Sequence, residues 1–580
     1  MVNRSPLAKD WQIAPKIPPE IEESLQEFHP ILRQLLYNRG LLTSESAYTY
    51  LQASQPPNTD PFSMLGMPEA VDRLIYAIYH DEPIVVYGDY DTDGVTATAL
   101  LVQVLTDLGA QVYGYIPNRF DEGYGLNIEA LDSLRSEGFK VVLTVDCGIR
   151  SLIEAEHARQ IGMDLIISDH HTPRQDLPLA RAIINPKQPD DPYPEKNLAG
   201  VGLAFKMATA LIHKLKETHN VTLATYDFSD LTDLVAVGTV ADLVPLTGEN
   251  RHLVRAGLEA IRRSHRQGLN SLIQTAGLHP ERINTTAIGY ILSPRLNAAG
   301  RLESALDALR LLTSQDIYEC GRLAQQLEVQ NRMRQLMTRE VQARAEQIAL
   351  AERPDGLLLF AAHPEFNPGV VGLAASKLVE LYYRPAIVCH QGIQFTRGSC
   401  RSIPEFHITK ALDRCAHLLI HHGGHAAAAG FTVSNENLPQ LMEQLYAIAS
   451  EQLSSADLRP TLRADMEVSL SELRPELLEL LKWLEPTGMG NPAAVFLSRD
   501  VFVKRVYPVG KESAHLRMVL TDGWVTYDGI AFHQGHRLLA EDLLDRSIDI
   551  LFTFEINEYN GRSNLQLNIK DFKPAGILEQ

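Results

Sequence analysis

From about residue 70, short apolar runs alternate with stretches whose apolar positions recur every three or four residues. PIVVYG, QVYGYIP, KVVLTVDCG and DLIISDHH read as strands. EAVDRLIYAIYH, VTATALLVQVLTDLG, NIEALDSLRSEG and a segment around EAEHARQIG read as the helices that flank and separate them. This alternation predicts an α/β domain with a mostly parallel, doubly wound sheet and its ligands at the strand ends. Between Asp316 and Arg353 there is no proline and a single glycine, Gly321, while Ile317, Cys320, Leu323, Leu327, Val341, Ala345 and Ile348 keep helical spacing. At 1.5 Å per residue such a helix would span roughly 50 Å and connect two lobes. The α/β pattern restarts with GLLLFAA, VVGLAASKLVELY and PAIVCH.

From about Arg459 the pattern changes to short strands: VFVKRVYPVG, HLRMVLTDG, VTYDGIAFH, IDILFTFEINEY and LQLNIKDF, with Asn560-Gly561 as a hairpin signal between the last two. Interspersed Phe, Tyr, Lys and Arg suit a small OB-like barrel that holds single strands by stacking and charge, and equally a β-domain used only for packing. Residues 1–69 carry a modest helical pattern. There IEESLQEFHPILRQLLYNRG ends at Gly40 as a C-cap candidate, SESAYTYLQ follows as a second helix, and Arg39 reads as a surface or capping residue. The expected organisation is a helical lead-in (1–69), an α/β catalytic domain (70–315), a connecting helix (316–353), a second α/β domain (354–458) and a β-barrel (459–580).

Composition narrows the class. A chain of 580 residues is too long for one core, and 45% hydrophobic with 22% charged residues is ordinary for globular protein. No apolar stretch approaches a membrane span and the start lacks a signal-peptide core, so a cytoplasmic protein without membrane contact is expected. Five scattered cysteines, Cys147, Cys320, Cys389, Cys400 and Cys415, form no CxxC pair and argue against a thiolate zinc site. The net charge of −19 counts against indiscriminate nucleic-acid binding but leaves room for a local basic groove.

The chemistry gathers at the strand ends. After PIVVYG come Asp89, Asp91 and Asp93, with Gly94 letting the backbone bend closely; three alternate acids repel one another unless a proton or a hard cation intervenes. An EF-hand loop would need Glu at its twelfth position, where this chain has Leu100. Asp146 ends the next apolar run and Asp169, His170 and His171 the one after, and a fourth apolar stretch, LVAVGTVADLVPL, ends near Asp242. Four segments delivering carboxylate or imidazole to one sheet edge point to a metal site, and oxygen mixed with imidazole suits Mn²⁺, then Mg²⁺. Candidates for holding nucleic acid are Arg119 and Tyr124 in PNRFDEGYG, then Arg295, Asn297 and Arg301 in SPRLNAAGR, whose small residues allow close backbone approach. Ser399 and Arg401 in GSCRS read as an anion clamp. In HHGGHAAAAG the residues Gly423, Gly424 and His425 read as a loop that admits nucleic-acid backbone, not as a metal cluster.

GDYDTDG, TVDCG, SDHH and GTVADLVPL, in this order and spacing, resemble the motifs of the DHH phosphoesterase superfamily. PNRFDEGYG, SPRLNAAGRL, GSCRS, GGHAAAAG and LEPTGMGNP extend the likeness over nearly the whole chain to its RecJ branch of single-strand-specific exonucleases. The resemblance implies a DHH domain, a DHH-associated domain and an OB fold. It also implies two divalent cations, Mn²⁺ or Mg²⁺, held by Asp91, Asp93, Asp146, His170 and Asp242. Asp89 would assist them, Asp169 would orient an imidazole, and His171 would meet the phosphate or the departing oxygen. Ser399 and Arg401 would grip a 5′-phosphate. The implied activity is 5′-to-3′ hydrolysis of single-stranded DNA to 5′ mononucleotides in repair and recombination. Single-stranded DNA is the expected partner, with a single-strand-binding protein and a helicase as candidate protein partners. Two alternatives stay open: a DHH phosphodiesterase of short RNA or cyclic dinucleotides, and an inactive DHH scaffold that binds DNA. One departure stands out, since Phe366-Asn367 occupies the place where RecJ proteins usually carry Trp-His.

Overall fold

The computed structural model describes residues 9–119, 122–123, 125–218, 227–540, 543–559 and 562–576. The chain begins with β1 (Asp10–Ile13) and three short helices, Pro19–Ser24, Pro30–Asn38 and Ser44–Leu51. Pro30, which cannot lie inside a helix, divides the expected helix ending at Gly40 into two.

The first sheet comprises β2 (Ile84–Gly88), β3 (Val112–Tyr115), β4 (Val141–Val145), β5 (Asp164–Ser168) and β6 (Ala182–Ile184), all parallel, in the order β3-β2-β4-β5-β6. β6, with three residues, is too short for periodicity to signal. Alternate residues of β2 enter opposite cores: Ile84 and Val86 face one, Val85 and Tyr87 the other. That two-sided burial is why the strands read as continuous apolar runs. The strand order reverses between β2 and β4, which is where open α/β sheets leave a crevice for ligands.

The stretch LVAVGTVADLVPL forms a buried helix, Ser229–Ala241, apolar all round because other helices cover every side. Beyond it the 36-residue helix Ile317–Glu352, N-capped by Asp316, runs from the first core to the second. The second lobe joins β7 (Leu359–His363), β8 (Ala386–Gln391), β9 (Phe395–Arg401), β10 (Leu419–Gly424) and β11 (Ala428–Ser434) in the order β10-β11-β9-β8-β7.

In the last region β12 (Thr461–Ala464) pairs with β1, and β13 (Met466–Glu467) runs beside β14 (Phe496–Val509). With β15 (His515–Thr521), β16 (Thr526–Ala531), β17 (Ser547–Tyr559) and β18 (Arg562–Pro574), β14 closes a five-stranded barrel, since β14 pairs with both β15 and β17. The turn signal Asn560-Gly561 lies outside the described residues. The N-terminal helices are not a separate lead-in: Leu25, Leu35, Leu36 and Leu51 share one core with Phe496, Phe552 and Phe572 of the barrel. Arg39 is the C-cap of Pro30–Asn38, as one of its two expected roles had it, and its side chain also donates to Asn491 Oδ1 at 3.0 Å and to the Pro492 carbonyl at 2.7 Å. Such a pairing of chain ends leaves no local signature. All five cysteines are buried and unpaired. Among the described residues no helix is long and apolar enough to cross a membrane.

Candidate active site

The acidic turn is built by the helix that follows it. Asp91 is the N-cap of Thr92–Asp107, its Oδ1 accepting from the amides of Asp93 (2.9 Å) and Gly94 (3.2 Å). Asp93 accepts from the amides of Gly200 (2.6 Å) and Val201 (2.8 Å), which open the helix Gly200–Thr218 and turn its positive end toward the acids. Asp146 follows β4 with φ of 61°, a left-handed backbone that a non-glycine residue adopts only when its surroundings impose it. Asp169 holds His171: its Oδ1 lies 2.8 Å from Nδ1 and accepts from the His171 amide, while Oδ2 accepts from Ile149 N–H at 3.0 Å. Asp242 arrives from the C-cap of the helix Ser229–Ala241.

These groups meet. His170 Nε2 is 3.1 Å from Asp146 Oδ1, 3.5 Å from Asp242 Oδ2 and 3.9 Å from Asp93 Oδ2. Three sets, Asp89/Asp91/Asp146, Asp93/His170/Asp242 and Asp146/His170/His171, each offer ligand atoms within 4.8 Å of one another. Burial raises the carboxyl of Asp93 to about 7 and that of Asp242 to about 9, with neighbouring carboxylates adding to both. Asp89 and Asp146 are pushed well up for the same reasons, burial first. Burial drives His170 down to about 3, so its imidazole is neutral, the form that ligates. For Asp169 burial acts upward, but the hydrogen bond and charge of His171 outweigh it and the carboxyl ends below the ordinary range. His171 ends above its ordinary value, the Asp169 hydrogen bond outweighing burial. Asp89 Oδ1, Asp146 Oδ1 and His170 Nε2 are buried without a hydrogen-bond partner among the described residues. Orphaned oxygens and an imidazole nitrogen crowded together fit divalent cations, which would satisfy all of them at once.

Close packing around the acids depends on glycine. A Cβ on Gly94 would lie 2.6 Å from the Asp89 backbone, and one on Gly200 would lie 2.7 Å from Asp146 Cβ. Gly94→Ala is therefore expected to displace the turn, lowering Mn²⁺-stimulated turnover by about 10²-fold through lost positioning. Turnover assays together with a far-UV melt will check this, the folded baseline remaining intact.

A second cluster is basic. Arg119 lies over the Tyr90 ring at 4.9 Å from its centroid. Burial, then Arg119 and Arg334, drives Arg301 down to about 10, while burial and Arg119 also lower Arg401. Arg401 donates to Ser399 Oγ at 3.3 Å and to the Cys400 carbonyl at 2.8 Å. A Cβ on Gly372 would lie 2.8 Å from Ser399 Oγ, so this pair abuts the first turn of the helix Val371–Tyr382, whose N-terminus has no side-chain cap. Several guanidinium groups beside uncapped amides have the chemistry to hold an anion. The pKa of His425, on the β10–β11 connection, is lowered by partial burial and then by the positive charge of Arg150, His171 and Lys187. Gly423 has nothing within 4 Å of a Cβ position, and Gly424, with φ of 145°, would drive a Cβ into the Ala428 carbonyl.

Two candidate nucleic-acid contacts turn inward instead. Arg295 is engaged by Glu328 of the long helix at 2.7 Å and by the Ile291 carbonyl at 2.6 Å. Asn297 Oδ1 accepts from Thr92 N–H at 2.8 Å and fastens the acidic turn. The small residues of SPRLNAAGR lie on a helix packed against that turn, with Gly300 against the Tyr90 carbonyl. Tyr124 lies outside the described residues. Sequence reasoning missed Arg334, whose signal is the break of Gln330, Asn331 and Arg334 in the otherwise apolar stripe of the long helix. The Phe366 ring fills the second-lobe core, and Asn367 accepts from Gly369 N–H at 2.7 Å. An amide thus closes the turn ahead of the helix Val371–Tyr382.

The family model described as "DHH family, N-terminal domain" matches residues 83–239, "DHHA1 domain" residues 355–451 and "RecJ OB domain" residues 464–571. The chain is 40% identical over 568 residues to the single-stranded-DNA-specific exonuclease RecJ of Bacillus subtilis strain 168, covering 97% of this chain and 70% of that protein. It is 33% identical to the protein of the same name from Escherichia coli K12, covering 96% and 98%. The crystal structure of RecJ in complex with Mn²⁺ from Thermus thermophilus superimposes with a TM-score of 0.82 at 29% identity, covering 98% of this chain and 80% of the other. The Mg²⁺ complex of that protein gives 0.77 at 28% identity, covering 98% and 79%.

Proposed function

The chain belongs to the RecJ family, and from that premise we propose that it hydrolyses single-stranded DNA from the 5′ end, releasing nucleoside 5′-monophosphates. It is a metal-dependent, single-stranded-DNA-specific exonuclease. The observation that carries the proposed polarity is the anion pocket of Ser399, Arg401 and the uncapped helix start, on the lobe facing the acidic centre.

Asp91, Asp93, Asp146, His170 and Asp242 would hold two divalent cations, Mn²⁺ or Mg²⁺, with Asp89 beside them. When bound, the cations supply a water nucleophile at neutral pH and neutralise charge gathering on the scissile phosphate. The protein does the rest. Asp169 fixes His171 through Nδ1, so that Nε2 is presented to the phosphate or the departing 3′-oxygen, and the raised pKa of His171 lets that nitrogen carry the proton the oxygen needs. Arg401, Ser399, Arg301 and Arg119 would seat the terminal 5′-phosphate, fixing which phosphodiester reaches the acids. Gly423, Gly424 and His425 would line the opposite wall, and Arg295 and Asn297 would hold the wall and the turn in place. The barrel would take the strand farther along by base stacking and charge. Burial of all five cysteines as free thiols fits a reducing cytoplasm, where a single-strand-binding protein and a helicase are the partners this chemistry would serve.

End-labelled DNA tests the reading. With Mn²⁺ or Mg²⁺, a 5′ label is expected to leave at once as mononucleotide, while a 3′ label shortens stepwise and duplex is spared. Early loss of the 3′ label, or a faster rate on a dinucleotide, contradicts it.

A further inference from the structure

Of the candidate ligands, Asp242 is the one not delivered by the parallel sheet or the turn behind it. It ends a helix, and Leu243 immediately after it takes a left-handed backbone with φ of 61°. The direction of its carboxylate therefore depends on what anchors the chain downstream. Asn250 Nδ2 holds the Pro245 carbonyl from within the same domain at 3.1 Å, and the rest of the anchor comes from the far end of the protein. Leu246 N–H donates to the Met489 carbonyl at 2.8 Å, and the backbones of Gly488 and Gly490 lie so near that a Cβ there would stand 2.7 Å from Leu246 Cδ1 and 3.0 Å from Pro245 Cβ.

The loop Leu484–Pro492 is itself locked. Asn491 Nδ2 donates to the carbonyls of Leu484 (2.9 Å) and Pro486 (2.8 Å), while its Oδ1 accepts from Tyr50 Oη (2.7 Å) and Arg39 Nε (3.0 Å). Arg251, in the helix that follows the Asp242 segment, is buried and donates to the carbonyls of Tyr50, Trp483, Leu484 and Pro486. Thr285 Oγ1 donates to the Thr487 carbonyl at 2.6 Å. Every one of these bonds runs between segments far apart in the chain or closes the loop on itself.

We propose that Leu484–Pro492 is a positioning strap for Asp242, so that the docked C-terminal region sets the geometry of the cation site. Asn491 and Gly490 are its positioning residues. The proposal rests on Asp242 being a ligand, as argued above. A strap that orients a ligand through its backbone acts like the hydrogen-bonding partners that orient ligands in other metal sites, whose loss typically weakens metal binding by about 10- to 100-fold.

The test is Mn²⁺ binding by the full chain, read as the electron paramagnetic resonance signal of the free ion, for wild type, Asn491→Ala, Gly490→Ala and Asp242→Asn. Gly490→Ala strains the left-handed backbone of the strap (φ of 70°) and crowds Pro245 while leaving the side-chain hydrogen bonds of Asn491 in place, so it remains informative should Asn491→Ala fold poorly. Both strap variants are expected to bind Mn²⁺ about tenfold more weakly, to keep the KM for single-stranded DNA, and to regain their rate when Mn²⁺ is raised in proportion. Wild-type Mn²⁺ affinity in both, with Asp242→Asn weakened, overturns the strap alone. Wild-type affinity in Asp242→Asn overturns the ligand assignment and the strap with it.

Discussion

In Asp146→Ala protein, Mn²⁺-dependent release of nucleotides is expected to fall by about 10³-fold or more, roughly 4 kcal/mol of transition-state stabilisation. Affinity for single-stranded DNA should stay close to wild type. Asp146 belongs to two of the three ligand sets and stands 3.1 Å from His170, so its loss disconnects Asp89 and Asp91 from the imidazoles. The arginine cluster that would carry binding is a separate feature and is left intact. A second consequence concerns stability. In the cation-free protein the buried acids disfavour one another's ionisation, so neutral, isosteric Asp146→Asn should melt higher than wild type in chelator, by about 2 °C or more. Added Mn²⁺ should raise wild type and leave the variant nearly unmoved. Unchanged turnover in Asp146→Ala would contradict the metal reading directly.

Arg401→Ala should erase discrimination between ends. Wild type is expected to prefer a 5′-phosphorylated strand over a 5′-hydroxyl strand. A hydrogen bond from a charged group contributes about 1.5–3 kcal/mol, so the variant should lose about 10- to 100-fold in kcat/KM on the phosphorylated strand alone. The rate on the 5′-hydroxyl strand should hardly change. Parallel assays on the two substrates check this, and an equal fall on both would show that Arg401 does not read the terminal phosphate. Arg401→Lys should recover part of the preference, because an ammonium keeps the charge and loses the fork.

Much of this protein is written locally. Apolar strands interleaved with helical periodicity determine the doubly wound sheet, since a strand buried on both faces must be apolar throughout, and the turn after such a strand is where Asp89, Asp91, Asp93, Asp146 and Asp169 appear. The long helix was equally legible, because 36 residues without proline and with apolar positions at helical spacing toward both ends admit little else. What the sequence could not decide is which distant side chains spend their hydrogen bonds on one another. Arg295 and Asn297 look like nucleic-acid contacts in SPRLNAAGR, yet Glu328 and Thr92 claim them once the helices pack. Arg39 reads as a surface or capping residue, and while it does cap its helix, its reach to Asn491 exists only because the two chain ends share one core. Asp242 comes within 3.5 Å of His170 from a helix end, and a few residues on Leu246 N–H donates to the Met489 carbonyl near the other end of the chain. Local patterns follow from backbone geometry and burial, which neighbours in sequence dictate. The partners of a buried polar group are fixed only when the whole chain closes around it, and that is a property of the tertiary structure alone.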